Sequence, residues 1–280
     1  MSARRIGVSL FLWTAAFTKK SLGLFSKVAQ LGFDIVEIPL DYLDQIDVER
    51  TKKELHNSGL ECTCCAVMGP ERDLISEDSD IRKNAKLYLQ SCIKMCSQWN
   101  SKIFCGPLYT ASGKLPGRSR TEKEWDMCVK SLRDMGEFAA DYGVILAIEP
   151  LNRFETYFLN TTKDAVSLIK NIDHHNIKLL LDTFHMNIEE KNFYEAFKLA
   201  GKNLVHVHAN ENDRGTPGSG LVDWKGVFNA LKEIQYNGAL VLEAFIPGIK
   251  QIAKAACIWR DIFPNKEEFA KEGLAFLRGN

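Results

Sequence analysis

Along the chain, short runs of apolar, often β-branched residues alternate with longer stretches in which apolar residues recur every three or four positions. Eight runs predict strands: "RIGVSLFLW" (5–13), "FDIVEIPL" (33–40), "LECTCCAVM" (60–68), "SKIFCGPL" (101–108), "VILAIEPL" (144–151), "IKLLLDTF" (177–184), "LVHVHANE" (204–211) and "ALVLEAF" (239–245). Segments such as "LGLFSKVAQLG", "RKNAKLYLQSCIKMCSQW", "EKEWDMCVKSLRDMGEFAADYG" and "KEEFAKEGLAFLRG" predict amphipathic helices. Gly32, Gly59 and Gly143 each follow a helical segment and shortly precede a strand, where a helix stop belongs. Eight strand–helix repeats with no linker or low-complexity tract predict a single (β/α)8 TIM barrel over residues 1–280. The rival is an open doubly wound sheet, which carries a glycine-rich phosphate turn after its first strand; "FLWTAAFTKK" has none.

Composition changes this picture little. With 45% hydrophobic and 26% charged residues the chain is ordinary for a packed globular protein. Lys plus Arg and Asp plus Glu are both 36, so no basic excess points to nucleic acid or an acidic membrane. The start "MSARRIGVSLFLWTAAF" imitates a short signal peptide, but its apolar run is brief and a lysine pair follows, so it reads as the first strand. No run approaches the roughly 20 apolar residues of a membrane span. The eight cysteines, at 62, 64, 65, 92, 96, 105, 128 and 257, form no paired CxxC motif. They read as reduced and mostly buried, which fits a cytoplasmic protein.

Chemistry in such a barrel collects where strands end. Four polar residues end apolar runs on the fifth to eighth strands: Glu149 in "LAIEPLN", Asp182 in "LLLDTFH", His208 in "VHVHANE" and Glu243 in "LVLEAF". Any one of them alone is more often a helix cap, a surface residue or a hydrogen-bonded core histidine. Four on consecutive strands face one axis, and three carboxylates crowded there repel unless a cation neutralises them. Three oxygen donors with one imidazole suit a hard or borderline divalent ion, Mn²⁺, Mg²⁺ or Co²⁺, rather than thiolate-bound structural zinc. His206 shares the strand face of His208 but lies deeper, and reads as a packed residue or a support for a ligand.

The motifs "IEPLNRFE", "LLLDTFHMN", "HVHANENDRGTPGSG" and "LVLEAF" together resemble the ketose 3-epimerase family, which includes D-tagatose, D-allulose and L-ribulose 3-epimerases among the xylose-isomerase-like barrels. The resemblance runs along the whole chain. It implies that Glu149, Asp182, His208 and Glu243 bind the metal, with Mn²⁺ foremost, and that Glu149 and Glu243 are the acid/base pair. It implies that Glu155, His185 and Arg214 contact the O1–O3 region of a ketose, and places Trp13 and Cys65 in the pocket wall. Core packing competes for both of these last two. It further implies a homodimer or homotetramer. Two glutamates suit epimerisation because a single base tends to return the C3 proton to the face it left. The proton is acidic only because the C2 carbonyl can become an enediolate, whose charge a neighbouring cation stabilises.

The nearest alternative is an aldose–ketose isomerase of the same superfamily, of hydroxypyruvate- or rhamnose-isomerase type. A DNA-repair endonuclease on this barrel needs a histidine-rich three-zinc cluster, and six histidines with a formal net charge of zero argue against it. The intact glutamate pair argues against a catalytically dead sugar-binding protein. The "RGTPGSG" loop lacks the strand–loop–helix order and lysine of a phosphate loop, which favours a free sugar and a mobile wall beside it.

Overall fold

The eight predicted strands are present, each shorter than its apolar run: β1 (Ile6–Ser9), β2 (Ile35–Pro39), β3 (Glu61–Cys65), β4 (Ile103–Gly106), β5 (Ile145–Ile148), β6 (Ile177–Asp182), β7 (Leu204–His208) and β8 (Ala239–Leu242). The computed structural model describes residues 4–245 and 256–280. All neighbouring strands pair in parallel in chain order, and β8 returns to β1 with Gly7 opposite Val241, so the barrel is closed. The helices among the described residues are α1 (Gly23–Leu31), α2 (Val48–Ser58), α3 (Ser79–Gln98), α4 (Glu122–Asp141), α5 (Thr162–Ile172), α6 (Thr183–Glu189), α7 (Phe193–Ala200), α8 (Trp224–Glu233) and α9 (Lys266–Gly279). None is long and apolar enough to cross a membrane.

Local chemistry explains where the strands stop. The first run breaks at Ser9, whose hydroxyl accepts the Phe11 amide and opens a 3₁₀ turn over Leu10–Leu12. The sixth ends on Asp182, whose Oδ1 accepts the Phe184 amide at 2.8 Å and caps α6. The predicted helix stops at Gly32, Gly59 and Gly143 all have positive φ. Gly7 is required for space, because a Cβ there would lie 3.0 Å from Val241 and 3.1 Å from Ile35 inside the barrel.

Alternation along the strands separates two packed regions. Val36, Ile38, Phe104, Leu146, Leu179, Leu181, Val207 and Leu242 point outward into the core shared with the helices. Residues of the opposite parity fill the barrel. Ile35, Ala239 and Val241 form one group towards the N-terminal ends of the strands. Cys65, Cys105, Ala147 and Leu180 pack with Phe11 in another. Seven of the eight cysteines are buried, as expected, and Cys257 is exposed.

Candidate active site

The inward parity of β5–β8 carries the four strand-end residues to one place at the C-terminal mouth. Glu149 lies just past β5, Asp182 and His208 end β6 and β7, and Glu243 lies just past β8. All four are buried, from 1% exposed for Asp182 and His208 to 7% for Glu243. His208 Nδ1 stands between two carboxylates, 3.8 Å from Glu149 Oε1 and 3.6 Å from Glu243 Oε2. Asp182, His208 and Glu243 bring ligand atoms within 4.8 Å of one another, and so do Glu149, Asp182 and His185.

A hydrogen-bonded frame orients these groups. Asp182 uses Oδ1 structurally, accepting from the Phe184 amide and from Asn210 Nδ2 at 2.9 Å, and turns Oδ2 to the cluster. Asn210 Oδ1 in turn accepts the Glu243 amide at 3.2 Å, coupling β8 to β6 across β7. The strand-end aspartate is therefore both a helix cap and a member of the cluster.

The residues attributed to substrate contact divide into two groups. His185, on α6, has Nε2 3.7 Å from Glu149 Oε1 and 3.8 Å from Asp182 Oδ2. Its Nδ1 accepts the Asn152 amide at 3.1 Å, which places the ring proton on Nε2, facing the carboxylates. Glu155 Oε1 accepts from the side chain of the same Asn152 at 2.9 Å and lies 4.0 Å from His185 Nδ1. Arg214 donates from Nη1 to Glu243 Oε2 at 2.7 Å and lies 3.5 Å from Asp182 Oδ2. Its guanidinium stacks between Phe184 and Phe245, 4.1 and 4.7 Å from their centroids. These three join the cluster. Trp13 stands one ring further out: it shares a cavity with Lys27 and Phe245, and Phe245 is one of the two rings that meet Arg214. Cys65 lies in the barrel interior against Phe11, Cys105, Ala147 and Leu180.

Arg214 has φ +63° on its loop, a left-handed conformation rare for a large side chain. The buried Glu211 holds that loop in place. Its carboxylate accepts from the amides of Gly218, Asn212 and Val222 and from Trp224 Nε1, at 2.5–3.2 Å. The turn is thus laced to one carboxylate, whereas the sequence suggested a mobile wall.

Electrostatics follow from this crowding. Burial, with Glu243 and Asp182 adding to it, pushes Glu149 well above the usual carboxylate range although His208 opposes the shift. Burial also raises Asp182 to about 6, against the pull of Arg214. His208 would be pushed down by burial, but Glu37 first, then Glu243, hold it well above an ordinary histidine. His185 is driven well below, by burial and by Arg214, and stays neutral. Part of the neutralising charge expected of a metal is thus supplied by Arg214. The donor set nevertheless fits a divalent ion: His208 Nδ1 is buried without a hydrogen-bond partner, amid three carboxylates that crowding disfavours.

Strand-end reasoning missed Glu37, Asn152, Asn210 and Glu211. Glu37 had a signal, an acid in the middle of the apolar run "DIVEIPL". A cavity of about 670 Å³ opens at the opposite end of the barrel beside Glu61, Ile103, Ile145, Leu204 and Ala239, where strands begin. Reaction sites in this architecture lie at the other face, where the carboxylates converge.

Comparison with known proteins agrees with this fold. Residues 25–279 match the xylose isomerase-like TIM barrel family. A probable ketose 3-epimerase of Synechocystis sp. is 35% identical over 274 residues, 98% of this chain and 96% of its own. The D-psicose 3-epimerase of Clostridium cellulolyticum H10, crystallised with D-tagatose, superposes with TM-score 0.91 at 32% identity over 98% of each chain. The D-allulose 3-epimerase of Methylomonas sp., in complex with D-allulose, gives TM-score 0.94 at 29% identity over 99% of this chain and 97% of that one. The fold and site define a xylose isomerase-like TIM barrel. Within that class the chain belongs to the ketose 3-epimerase family, and it is a carbohydrate epimerase of the isomerase class.

Proposed function

We propose that residues 1–280 act as one barrel domain that interconverts free ketoses epimeric at C3, of the tagatose/sorbose, fructose/allulose or ribulose/xylulose type. One observation carries this reading. Two buried glutamates from opposite sides of the second half-barrel, Glu149 and Glu243, flank the same histidine nitrogen at 3.8 and 3.6 Å. One glutamate removes the C3 proton, the C–H electrons pass into an enediolate, and the other glutamate returns a proton to the opposite face. Reversing the reaction exchanges their roles. His185, with its proton on Nε2, and Arg214 hold the C1–C3 oxygens in register, and Glu155 positions His185 through Asn152. Trp13 and Cys65 close the apolar side of the pocket. Glu149, Asp182, His208 and Glu243 would hold a divalent cation, Mn²⁺ first and Co²⁺ or Mg²⁺ as alternatives, which when bound supplies a Lewis acid next to the developing charge.

The test is product analysis with added Mn²⁺ across free ketohexoses, ketopentoses and their phosphates. A C3-epimeric ketose is expected. An aldose would favour the aldose–ketose isomerase reading, and a preference above about tenfold for a phosphorylated ketose would overturn the free-sugar reading, which rests on the "RGTPGSG" loop lacking the order and lysine of a phosphate loop. The cytoplasm is the compartment that suits the thiol-rich interior. Exposed Phe154, Leu221 and Trp259 offer apolar surface for a homodimer or homotetramer, which sedimentation velocity would measure.

A further inference from the structure

Glu37 sits in the middle of β2, on the barrel-interior side, and is 0% exposed. A buried carboxylate without compensation is costly, so its partners show what it is for. Oε2 is fully engaged: it accepts from Thr63 Oγ1 at 3.1 Å and from Cys105 Sγ at 3.4 Å, and lies 2.8 Å from His206 Nε2. Donation from His206 Nε2 agrees with its Nδ1 being without a partner. Oε1 has no donor of this kind and lies 3.0 Å from His208 Nε2, close in distance but too far off line to count as a formed hydrogen bond. That nitrogen is on the far side of the ring from Nδ1, the atom between Glu149 and Glu243. The contact is not a ladder neighbour either, because β1 and β8 lie between β2 and β7. Glu37 reaches across the barrel to both histidines of β7, one with each carboxylate oxygen.

We propose that Glu37 is a positioning residue for His208: it anchors the proton on Nε2 and so presents the Nδ1 lone pair to the cation position. His206, Thr63 and Cys105 hold the far oxygen and prevent the carboxylate from rotating away. A carboxylate or carbonyl behind a ligating imidazole is a general way to set tautomer and ring orientation. The inference rests on reading Glu149, Asp182, His208 and Glu243 as the cation site.

The experiment titrates Mn²⁺ into chelator-stripped protein by calorimetry, and compares melting temperatures before and after metal. Glu37→Gln, which keeps shape and a polar end, should bind Mn²⁺ about 10- to 100-fold more weakly. It should recover most of its turnover at saturating Mn²⁺ with an unchanged KM for ketose, as a residue acting only through the metal site must. A Kd within about twofold of wild type in folded Glu37→Gln protein would overturn the proposal. If that variant does not fold, Glu37→Asp decides by the same reading, because its shorter side chain keeps the charge but withdraws it from His208. Binding at least about threefold weaker supports the proposal, and a Kd within about twofold overturns it. Asp182→Asn separates the two levels. If it binds Mn²⁺ as tightly as wild type, the cation site itself is misread. If it loses affinity while Glu37→Gln does not, only the positioning role fails.

Discussion

The two halves of the barrel are alike in backbone and opposite in chemistry. In β1–β4 the interior residues towards the C-terminal ends are Ser9, Pro39, Cys65 and Cys105, with Phe11 just beyond β1. In β5–β8 the corresponding positions are Glu149, Asp182, His208 and Glu243. The same alternation and the same closed parallel ladder thus build a wall without ionisable carboxylates on one side and a cluster of titratable groups on the other. Glu37 is the buried carboxylate among the inward residues of β1–β4, and it points to His208 in the second half. Division of labour in this fold is therefore set by which residue stands at the strand end, and no change of backbone is needed. It follows that substitutions in the second half should strike chemistry and metal binding, while those in the first should alter fit.

The largest effect is expected at the two glutamates. Glu149→Gln or Glu243→Gln preserves size but removes the proton carrier, so turnover should fall by about 10²–10⁴. Metal content must be measured in parallel, since lost affinity would mimic lost chemistry. In D₂O a metal-loaded single variant should still wash deuterium into one epimer through its remaining base, without forming the other. Near wild-type epimerisation by either variant with metal bound would break the assigned difference between the halves.

Metal removal comes next. Chelation should abolish activity, and Mn²⁺ or Co²⁺ should restore it and raise the melting temperature, because an ion that binds only the folded state stabilises it by about 2.7 kcal/mol at 100 times its Kd. Affinity should rise with pH through about 6, where Asp182 loses the proton with which a cation competes. Full turnover in protein shown by elemental analysis to be free of divalent metal would sink the four-residue cation site.

A smaller effect tests the wall. Cys65→Ala removes one sulfur from the Phe11, Cys105, Ala147 and Leu180 group and leaves all four strand-end residues in place. It should change the ratio of kcat/KM between two ketoses by about tenfold, the low end of the roughly 10–200-fold that one methylene in an apolar pocket controls. Loss of metal binding in this variant would erase the contrast between the halves.

How much of this was legible in the sequence depends on how far each residue's partner lies along the chain. Strand positions and the four strand-end residues were readable because alternation and run endings are local properties. His185, on α6 three residues beyond Asp182, came instead from the resemblance of "LLLDTFHMN" to the epimerase family. Glu37 was passed over because it stands mid-strand, and its partner His208 is on a strand that only barrel closure brings near. Asn152, Asn210 and Glu211 are loop residues whose work is to satisfy backbone amides and neighbouring side chains, and loop conformation is not written in periodicity. The loop from 211 to 222 shows this most clearly: nothing in its local pattern announces that the Gly218 and Val222 amides turn onto the Glu211 carboxylate.

The smallest effect belongs to a change at the seam of the two halves that should leave both unaltered. Helix α4 joins β4 to β5, and its first turn is closed by a reciprocal pair in which Thr121 Oγ1 accepts the Glu124 amide and Glu124 Oε2 accepts the Thr121 amide. Arg118 adds two contacts to the same carboxylate at 2.8 and 3.0 Å, and Tyr157 donates to it at 2.8 Å. Thr121→Ala removes the cap and should cost about 1 kcal/mol of stability, read as a shift in the denaturant midpoint, with kcat and metal Kd unchanged. The pH dependence has a definite sign. The hydrogen bonds from Arg118, foremost, hold Glu124 well below its ordinary value of 4.5, so its ionised form favours the folded state. That stability is present in full above about pH 4.5 and is lost as pH falls towards the lower folded value. The stability gap between wild type and Glu124→Gln should therefore be constant near neutrality and close on acidification. If instead either variant lowered kcat at neutral pH while remaining folded, the seam would be coupled to the titratable cluster, and the two halves could not be treated as separable.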